Sequence, residues 1–282
     1  MTAKSRTRDP RLDAAEEVEA ADWFDQSKQP VVISAEDGIQ LHGWLFDPDC
    51  AGAKPHLYAI CCHGYSGQPQ DMAKYAHRFA RLGFTVLVPA LRGHGLSEGR
   101  YAGMGWLDRR DLMRWISLII DSDADARILL QGKSMGAAAV MMTVGEPDLP
   151  RNVVAAVEDC GYASVGQQFI DCARSMFHLP KFLAKPIVTT MGAIARRRAG
   201  YGFQEASCVE QLKHATIPML FIHGGADDFV PSRALDENFD ACASIDRQKL
   251  LIPSAGHSMS ASTAPVVYWK TVTNFVTRVF GL

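Results

Sequence analysis

A serine flanked by glycines has the clearest chemical potential in this chain. Residues 132–136, GKSMG, follow an apolar stretch at 127–131 that is typical of a buried strand and precede a small-residue stretch at 137–142 that is typical of a helix. Such a G-x-S-x-G turn is a nucleophile elbow, which pushes the serine hydroxyl into a cleft. The pattern therefore predicts that Ser134 is a nucleophile; the alternative is an ordinary glycine turn with a solvated serine.

A serine hydroxyl needs a base to take its proton, and the base needs a carboxylate to fix its tautomer. Two later motifs offer these groups, each directly after an apolar strand-like stretch: HGGADDFVP at 223–231 and PSAGHS at 253–258. The resulting order along the chain is serine, then acid, then histidine. We therefore predict Asp227 as the acid and His257 as the base.

Other assignments are open at this point. Asp228 is a rival acid, although it could instead cap the helix that starts near Pro231. Asp159, at the end of an earlier strand, is a third candidate. His257 could be a surface histidine, but of the nine histidines it alone follows the final strand, and small neighbours leave its ring free to turn toward Ser134.

Acyl transfer also needs two N–H groups aimed at the developing oxyanion. The backbone of Met135, directly after the nucleophile, is the first candidate. The second is the backbone N–H of Tyr65, in the loop HGYSG at 63–67. Three further histidines precede a glycine, and we expect them to make structural hydrogen bonds within their loops: His63, His94 and His223.

The elements that must position these groups alternate regularly along the chain. A hairpin comes first, with strands at 31–34 and 39–46 and a turn at 36–38. Buried strands and amphipathic helices then follow one another, which predicts a mostly parallel sheet with helices on both faces and ligands outside the carboxyl ends of the strands. The predicted strands are 57–62, 84–88, 127–131, 153–157, 218–222 and 249–252, and the predicted helices include 72–80, 106–120 and 272–280.

One stretch breaks this alternation. Residues 161–207 contain two or three helix-like pieces, interrupted at Pro180 and Pro186, and are too long for a plain crossover. Six basic residues against two acidic ones give the segment a local charge of +4. We interpret it as a helical cap or lid over the site. Residues 187–198, apolar at the start and basic at the end, could instead lie on a membrane, but a lid explains the same pattern.

Residues 1–30 precede the alternating pattern and are interpreted as an appended surface segment. They include a predicted short helix, with Asp9 as its cap and Pro10 at its first position, that ends near Trp23 and Phe24. Residues 31–282 then form one α/β domain, because 282 residues with 48% hydrophobic content fit a single large core.

Composition limits the partners and the compartment. A net charge of -2 gives no basic field for nucleic acid, so we expect no nucleic-acid partner. Seven irregularly spaced cysteines are typical of reduced thiols in the cytoplasm. The first residues contain no apolar signal-peptide core, and no apolar run is long enough to span a membrane. No metal-binding motif is visible, so we expect neither metal nor cofactor. A homodimer is compatible with this composition.

Five ordered motifs, GKSMG, HGYSG, RGHGLSEG, HGGADDFVP and AGHS, together resemble the α/β-hydrolase superfamily, and within it bacterial esterases and serine-aminopeptidase-like enzymes. The resemblance covers residues 31–282. It implies a mostly parallel eight-stranded sheet with a helical cap insertion at 161–207, and a triad of Ser134, Asp227 and His257. Ala90 departs from the pattern, because many relatives carry Asp before the R-G-H-G turn. Serine at the elbow, rather than Asp or Cys, argues against the dehalogenase, epoxide-hydrolase and dienelactone branches.

These observations predict a serine hydrolase that cleaves a small-molecule carboxylic ester through an acyl-enzyme, in class EC 3.1.1 rather than 3.4. An aminopeptidase-like peptidase is the second reading. Peptidases of that kind need a carboxylate near the free amine of the substrate, whereas this cap is basic. A third reading is a ligand-binding protein that keeps the fold without turnover.

Overall fold

A computed structural model describes residues 14–282 of the chain. Its core is one eight-stranded sheet with the order β1-β2-β4-β3-β5-β6-β7-β8. The strands are β1 Gln29–Ser34, β2 Gln40–Phe46, β3 Leu57–Cys62, β4 Thr85–Pro89, β5 Arg127–Lys133, β6 Val153–Asp159, β7 Met219–Gly224 and β8 Arg247–Ile252. The predicted alternation of strands and helices is therefore confirmed.

Strand pairing follows from the sequence patterns. β1 pairs with β2 and β2 pairs with β4 in antiparallel register, which is the predicted hairpin attached to one side of the sheet. All remaining pairs are parallel. The central strands β5 and β7 are buried almost along their whole length, because helices cover both faces of a parallel sheet.

The helices form two layers, each with its own core. The longer helices outside the cap segment are α1 Ala14–Ser27, α2 Ala73–Arg81, α3 Asp108–Ser122, α4 Met135–Val144, α8 Arg233–Ala241 and α10 Pro265–Phe280. Helices α1, α2 and α10 contribute to the core on one face of the sheet. Helices α3, α4 and α8 contribute to the core on the other face. This arrangement confirms the prediction of helices on both faces.

Helix α1 lies within residues 1–30, the segment interpreted from the sequence as an appended surface segment. It extends beyond the predicted end near Trp23 and Phe24, to Ser27. Phe24 is buried, and both Trp23 and Phe24 pack against Phe46 of β2, with ring centroids 4.7 and 4.6 Å apart. The predicted cap at Asp9 and the proline at position 10 lie outside the described residues.

Residues 161–207, called the cap segment below, connect β6 to β7. They contain α5 Val165–Phe177 and α6 Lys181–Ala199, followed by the short helix α7 Cys208–Leu212. The predicted interruption at Pro186 is wrong, because Pro186 lies inside α6. Proline removes only one backbone donor there, at an exposed position, and the Thr190 hydroxyl donates to the Pro186 carbonyl at 3.0 Å. Among the helices of residues 14–282, none combines the length and apolarity that crossing a bilayer requires.

Candidate active site

Ser134 lies at the sharp turn between β5 and α4. Its backbone has φ 56° and ψ -117°, a left-handed conformation that costs energy for a residue with a Cβ atom. A Cβ on Gly132 would lie 2.3 Å from the Gly136 carbonyl oxygen, and one on Gly136 would lie 2.3 Å from the Cys62 carbonyl oxygen. This close approach explains why both positions require glycine. The short helix α9, Ser260–Thr263, follows the loop that carries His257, called the histidine loop below, at the edge of the sheet where β5 also ends.

Three predicted side chains meet at this edge. The Ser134 Oγ atom lies 2.8 Å from His257 Nε2, and His257 Nδ1 lies 2.7 Å from Asp227 Oδ2. Because a carboxylate only accepts, Nδ1 carries the imidazole proton and Nε2 accepts from the serine hydroxyl. The Phe229 ring packs beside the imidazole, with centroids 5.0 Å apart. The arrangement can therefore take a proton from Ser134.

The Asp227 carboxylate is held by its own loop. Its Oδ1 atom accepts from the backbone N–H groups of Phe229 and Val230 at 2.9 and 2.8 Å. Burial raises the pKa of Asp227, but hydrogen bonds from His223 and His257 outweigh burial and hold that pKa well below its usual range. The carboxylate thus stays ionised beside the imidazole.

The two rival acids occupy other environments. Asp228 is exposed, and the following helix α8 has Ser232, not Asp228, at its N-cap. Asp159 is fully buried at the end of β6, where its backbone carbonyl accepts from the Ser134 N–H at 2.8 Å. Burial raises the pKa of the Asp159 side chain. In the described part of the chain, the carboxylate that bonds His257 is that of Asp227.

A second histidine contacts the same carboxylate from the core. His223 Nε2 lies 3.0 Å from the Val230 carbonyl and 3.4 Å from Asp227 Oδ2, so this nitrogen carries the proton. Burial lowers the pKa of His223, but Asp227 and the buried Glu158 raise it above its ordinary value. Burial raises the pKa of Glu158 to about 8. His223 thus makes the hydrogen bonds within its loop that the sequence predicts.

The loop after β3 approaches the serine from the other side. Gly64 lies so close that a Cβ there would be 3.3 Å from the Cβ of Ser134. His94 Nε2 lies 2.6 Å from the Tyr65 carbonyl oxygen, and this hydrogen bond fixes the peptide that follows Tyr65 in the loop. Met135 is the first residue of α4, so its N–H has no acceptor within the helix. Both predicted oxyanion donors therefore belong to segments that border Ser134.

His63 is structural. Its Nε2 atom accepts from the Leu91 N–H at 3.1 Å, and its Nδ1 atom lies 2.8 Å from the Gly64 carbonyl. Burial lowers the pKa of His63 to about 4, so the ring is neutral at pH 7.

The turn that carries Ala90 is held by the Ser97 hydroxyl, which donates to the Ala90 carbonyl at 2.7 Å. The Ser97 hydroxyl therefore stabilises the turn that follows Ala90.

Ligand atoms of Cys160, Asp227 and His257 lie within 4.8 Å of one another in the described part of the chain. Such a group could hold a metal ion in principle. Burial raises the pKa of the Cys160 thiol well above its usual value, however, so the thiol stays protonated and is a poor ligand. The Cys160 sulfur lies 3.4 Å from the Ser258 hydroxyl, which is the contact of a packed thiol.

One contact of the acid loop has no motif in the sequence. Gln168, buried on α5 of the cap segment, donates from Nε2 to the Phe229 carbonyl at 2.9 Å. The cap segment is thereby fastened to the loop that carries Asp227. A glutamine on an amphipathic helix gives no sign of such a partner, because the contact spans 61 residues of chain.

Comparisons with known proteins show what the chain is similar to. The profile of the family described as "Serine aminopeptidase, S33" matches residues 53–191. The uncharacterized protein YqkD of Bacillus subtilis strain 168 is 26% identical over 255 residues, covering 90% of this chain and 81% of the relative. The uncharacterized protein Rv2307c of Mycobacterium tuberculosis is 29% identical over 230 residues, covering 81% and 72%.

A solved structure, the Pyrococcus furiosus esterase Pf2001, superimposes with a TM-score of 0.69 at 20% identity, covering 89% of this chain and 92% of the esterase. At that identity the likeness describes the fold. The family profile, the sheet order and the serine elbow agree with one another. The chain has the fold of the α/β-hydrolase superfamily.

Proposed function

We propose that this protein is a serine hydrolase that cleaves a small or medium carboxylic ester through an acyl-enzyme on Ser134. One observation carries the proposal: the Ser134 hydroxyl lies 2.8 Å from the nitrogen of His257 whose ring is oriented by the buried Asp227. Nucleophile, base and orienting acid within hydrogen-bond reach are the geometric requirement for this chemistry.

The reaction has two halves. The Ser134 oxygen attacks the ester carbonyl while His257 takes the hydroxyl proton, and the tetrahedral oxyanion accepts hydrogen bonds from the N–H groups of Met135 and Tyr65. The intermediate collapses, His257 gives the proton to the departing alcohol, and an acyl-Ser134 ester remains. Water then attacks this ester with His257 as base, and the carboxylic acid leaves.

The acidic residues of the cap segment favour an ester over a peptide with a free amine. Arg233 binds Asp171, and Glu205 accepts from Arg196 at 3.2 Å and from the Gly202 N–H. Both carboxylates are thus engaged within the protein. A substrate ammonium group would need such a carboxylate, whereas a neutral or anionic acyl group needs none.

The direct test is fluorophosphonate labelling combined with turnover of p-nitrophenyl esters. The wild-type protein should be labelled and should release p-nitrophenol, and Ser134→Ala should lose both at least about a thousandfold. Ser254→Ala, which removes an exposed serine near the histidine loop, is the matched control and should keep both. A Ser134→Ala protein with full turnover would contradict the proposal.

The same assay separates the alternatives. An aminoacyl p-nitroanilide series would be cleaved faster than the esters by an aminopeptidase-like enzyme. A ligand-binding protein without turnover would bind esters and give no burst of p-nitrophenol. Esters of increasing acyl length would then define the pocket.

A further inference from the structure

Two histidines contact the loop at residues 63–67, called the Tyr65 loop below, which carries the proposed oxyanion donor. His63 opens this loop directly after β3, and His94 lies in the turn at 92–97 that follows β4. Their rings pack edge to face, with centroids 5.1 Å apart. Each histidine precedes a glycine in the sequence, but their ring nitrogens contact different kinds of atom.

The contacts of His63 are those of a neutral imidazole. Its Nε2 atom accepts from the Leu91 N–H at 3.1 Å, so this nitrogen has no proton. Its Nδ1 atom therefore carries the proton and donates to the Gly64 carbonyl at 2.8 Å. One donor and one acceptor satisfy both contacts.

Both ring nitrogens of His94 lie against carbonyl oxygens. Nε2 lies 2.6 Å from the Tyr65 carbonyl oxygen, and Nδ1 lies 3.0 Å from the Arg92 carbonyl oxygen. Because a carbonyl oxygen only accepts, both nitrogens must donate for both hydrogen bonds to form. A neutral imidazole has one N–H group, whereas the imidazolium has two. These two contacts together therefore require a positively charged His94, and the short distance to Tyr65 agrees with a charged donor.

The charged and titratable groups around His94 are compatible with a cation. Asp108 is fully buried and interacts electrostatically with His94, and burial raises the pKa of Asp108 to about 6, so above that pH it is an anion. Besides burial, the charge of His94 lowers the pKa of His63, which keeps the neighbouring ring neutral. The Tyr65 ring lies edge-on to His94, with centroids 6.1 Å apart. The Arg92 guanidinium is bound by two carboxylates, Asp37 and Asp111.

Together the two histidines hold consecutive carbonyl groups of the Tyr65 loop. The Gly64 carbonyl, bound by His63, belongs to the same peptide as the Tyr65 N–H, and it also accepts from the Gly67 N–H at 3.0 Å. The Tyr65 carbonyl, bound by His94, belongs to the next peptide. Peptide units are planar, so fixing both carbonyls fixes the direction of the Tyr65 N–H.

We propose that His94 is a positioning residue that acts as an imidazolium, holding the Tyr65 loop in the conformation that directs the Tyr65 N–H at the oxyanion, and that loss of its proton at alkaline pH slows catalysis. When the proton leaves to water, one ring nitrogen presents a lone pair to a carbonyl oxygen, so that hydrogen bond is lost. The inference deepens the proposed ester hydrolysis and rests on it for the activity measurement.

Nitrogen-15 NMR of the full-length protein, labelled in its histidines, tests the charge of His94 without any turnover. The His94 signals are those that disappear in His94→Gln. His94 should keep both ring protons to a higher pH than His214, an exposed histidine after α7, because two carbonyls and Asp108 favour its charged form. Loss of the second proton at the same pH as His214, or at a lower one, would overturn the proposal.

The pH dependence of ester turnover tests the consequence for the reaction. In the wild-type protein, kcat should fall on the alkaline side with the midpoint at which NMR shows His94 losing its proton. KM should change less than about threefold, because an oxyanion donor acts in the transition state. His214→Gln is the matched control and should keep the wild-type profile.

Two replacements of His94 separate the hydrogen bond from its titration. His94→Ala removes both donors and should lower kcat about 10- to 100-fold. His94→Gln offers the Tyr65 carbonyl an amide N–H that does not titrate, so it should recover part of kcat and lack the alkaline fall. Circular dichroism verifies that each variant is folded.

The outcomes distinguish this inference from the proposed function. An alkaline fall of kcat in His94→Gln that matches the wild type would overturn the role of His94. Wild-type protein that hydrolyses no ester at any pH would contradict the proposed function instead, and the NMR titration would still decide whether His94 is held as an imidazolium.

Discussion

His223 and His257 contact the same carboxylate oxygen of Asp227, at 3.4 and 2.7 Å. Both nitrogens donate, because a carboxylate only accepts. His257 approaches from the site, and His223 approaches from the core, where it also binds the Val230 carbonyl at 3.0 Å. His223 therefore fixes the position of the acid without reaching Ser134.

Replacing His223 should reveal this positioning role. His223→Leu removes the donor to Asp227 and to the Val230 carbonyl, and should lower kcat about 10- to 100-fold and the free energy of unfolding by about 1–3 kcal/mol. His223→Gln places an amide donor near the same point and should recover part of both. Ester turnover and urea unfolding measure the two effects. Equal losses in both variants would contradict a role through this hydrogen bond.

Asp227→Asn should lower kcat by about four orders of magnitude with little change in fold, because an amide no longer fixes the imidazole tautomer. Asp228→Asn changes the exposed neighbouring residue in the same way and should leave kcat within about twofold. Steady-state ester hydrolysis distinguishes the two. If Asp228→Asn gave the larger loss, the acid would be misassigned.

Glu158 should make the stability of the protein fall as pH rises. Burial raises its pKa from 4.5 to about 8, so between these values the folded protein holds a proton that the unfolded chain has lost. Its contribution is fully present below pH 4.5 and is lost as pH rises toward 8, by on the order of 1 kcal/mol for each pH unit crossed. Glu158→Gln removes the titrating group, and its amide oxygen can still accept from the Gly161 N–H.

Urea unfolding at several pH values between 5 and 8 tests this effect, a range within which Glu158 titrates. The difference in unfolding free energy between Glu158→Gln and wild type should grow in favour of the variant as pH rises. Asp240→Asn, at an exposed position on α8, should follow the wild-type curve. Parallel curves for wild type and Glu158→Gln would contradict the prediction.

Two glycines near the site should respond differently to the same change. Gly136→Ala places a methyl group 2.3 Å from the Cys62 carbonyl oxygen, so strand and helix must separate and both stability and turnover should fall steeply, by several kcal/mol in unfolding. Gly256→Ala meets nothing within 4 Å and should change stability by less than about 0.5 kcal/mol. Thermal unfolding compares the pair. A Gly136→Ala protein as stable as Gly256→Ala would contradict the packing argument.

The sequence was informative where burial and topology leave little freedom. The strands β3 to β7 are recognisable because helices on both faces require continuous apolar runs, as at Leu57–Cys62. Parallel strands end at one edge, so motifs that follow strands meet there. Ser134, Asp227 and His257 could be brought together on that ground although 123 residues separate the serine from the histidine.

Other features depend on tertiary contacts that no local pattern encodes. Helical spacing identified a helix in the cap segment but not which side of α6 faces the protein, and small residues rather than large ones proved to be buried. Pro186 was a misleading stop signal, because an exposed helix tolerates one missing hydrogen bond. The hydrogen bond from Gln168 to the Phe229 carbonyl joins two segments, and neither segment has a sequence motif that predicts the contact.

The left-handed backbone of Ser134 has a consequence for how the protein fails on heating. Holding the Ser134 backbone at φ 56° costs about 1–3 kcal/mol of conformational strain, and the packing around the turn keeps the residue in that conformation. Modest loosening of that packing lets the turn unwind while the sheet persists. On warming, the hydrolytic activity should therefore be lost some degrees below the temperature at which the protein unfolds.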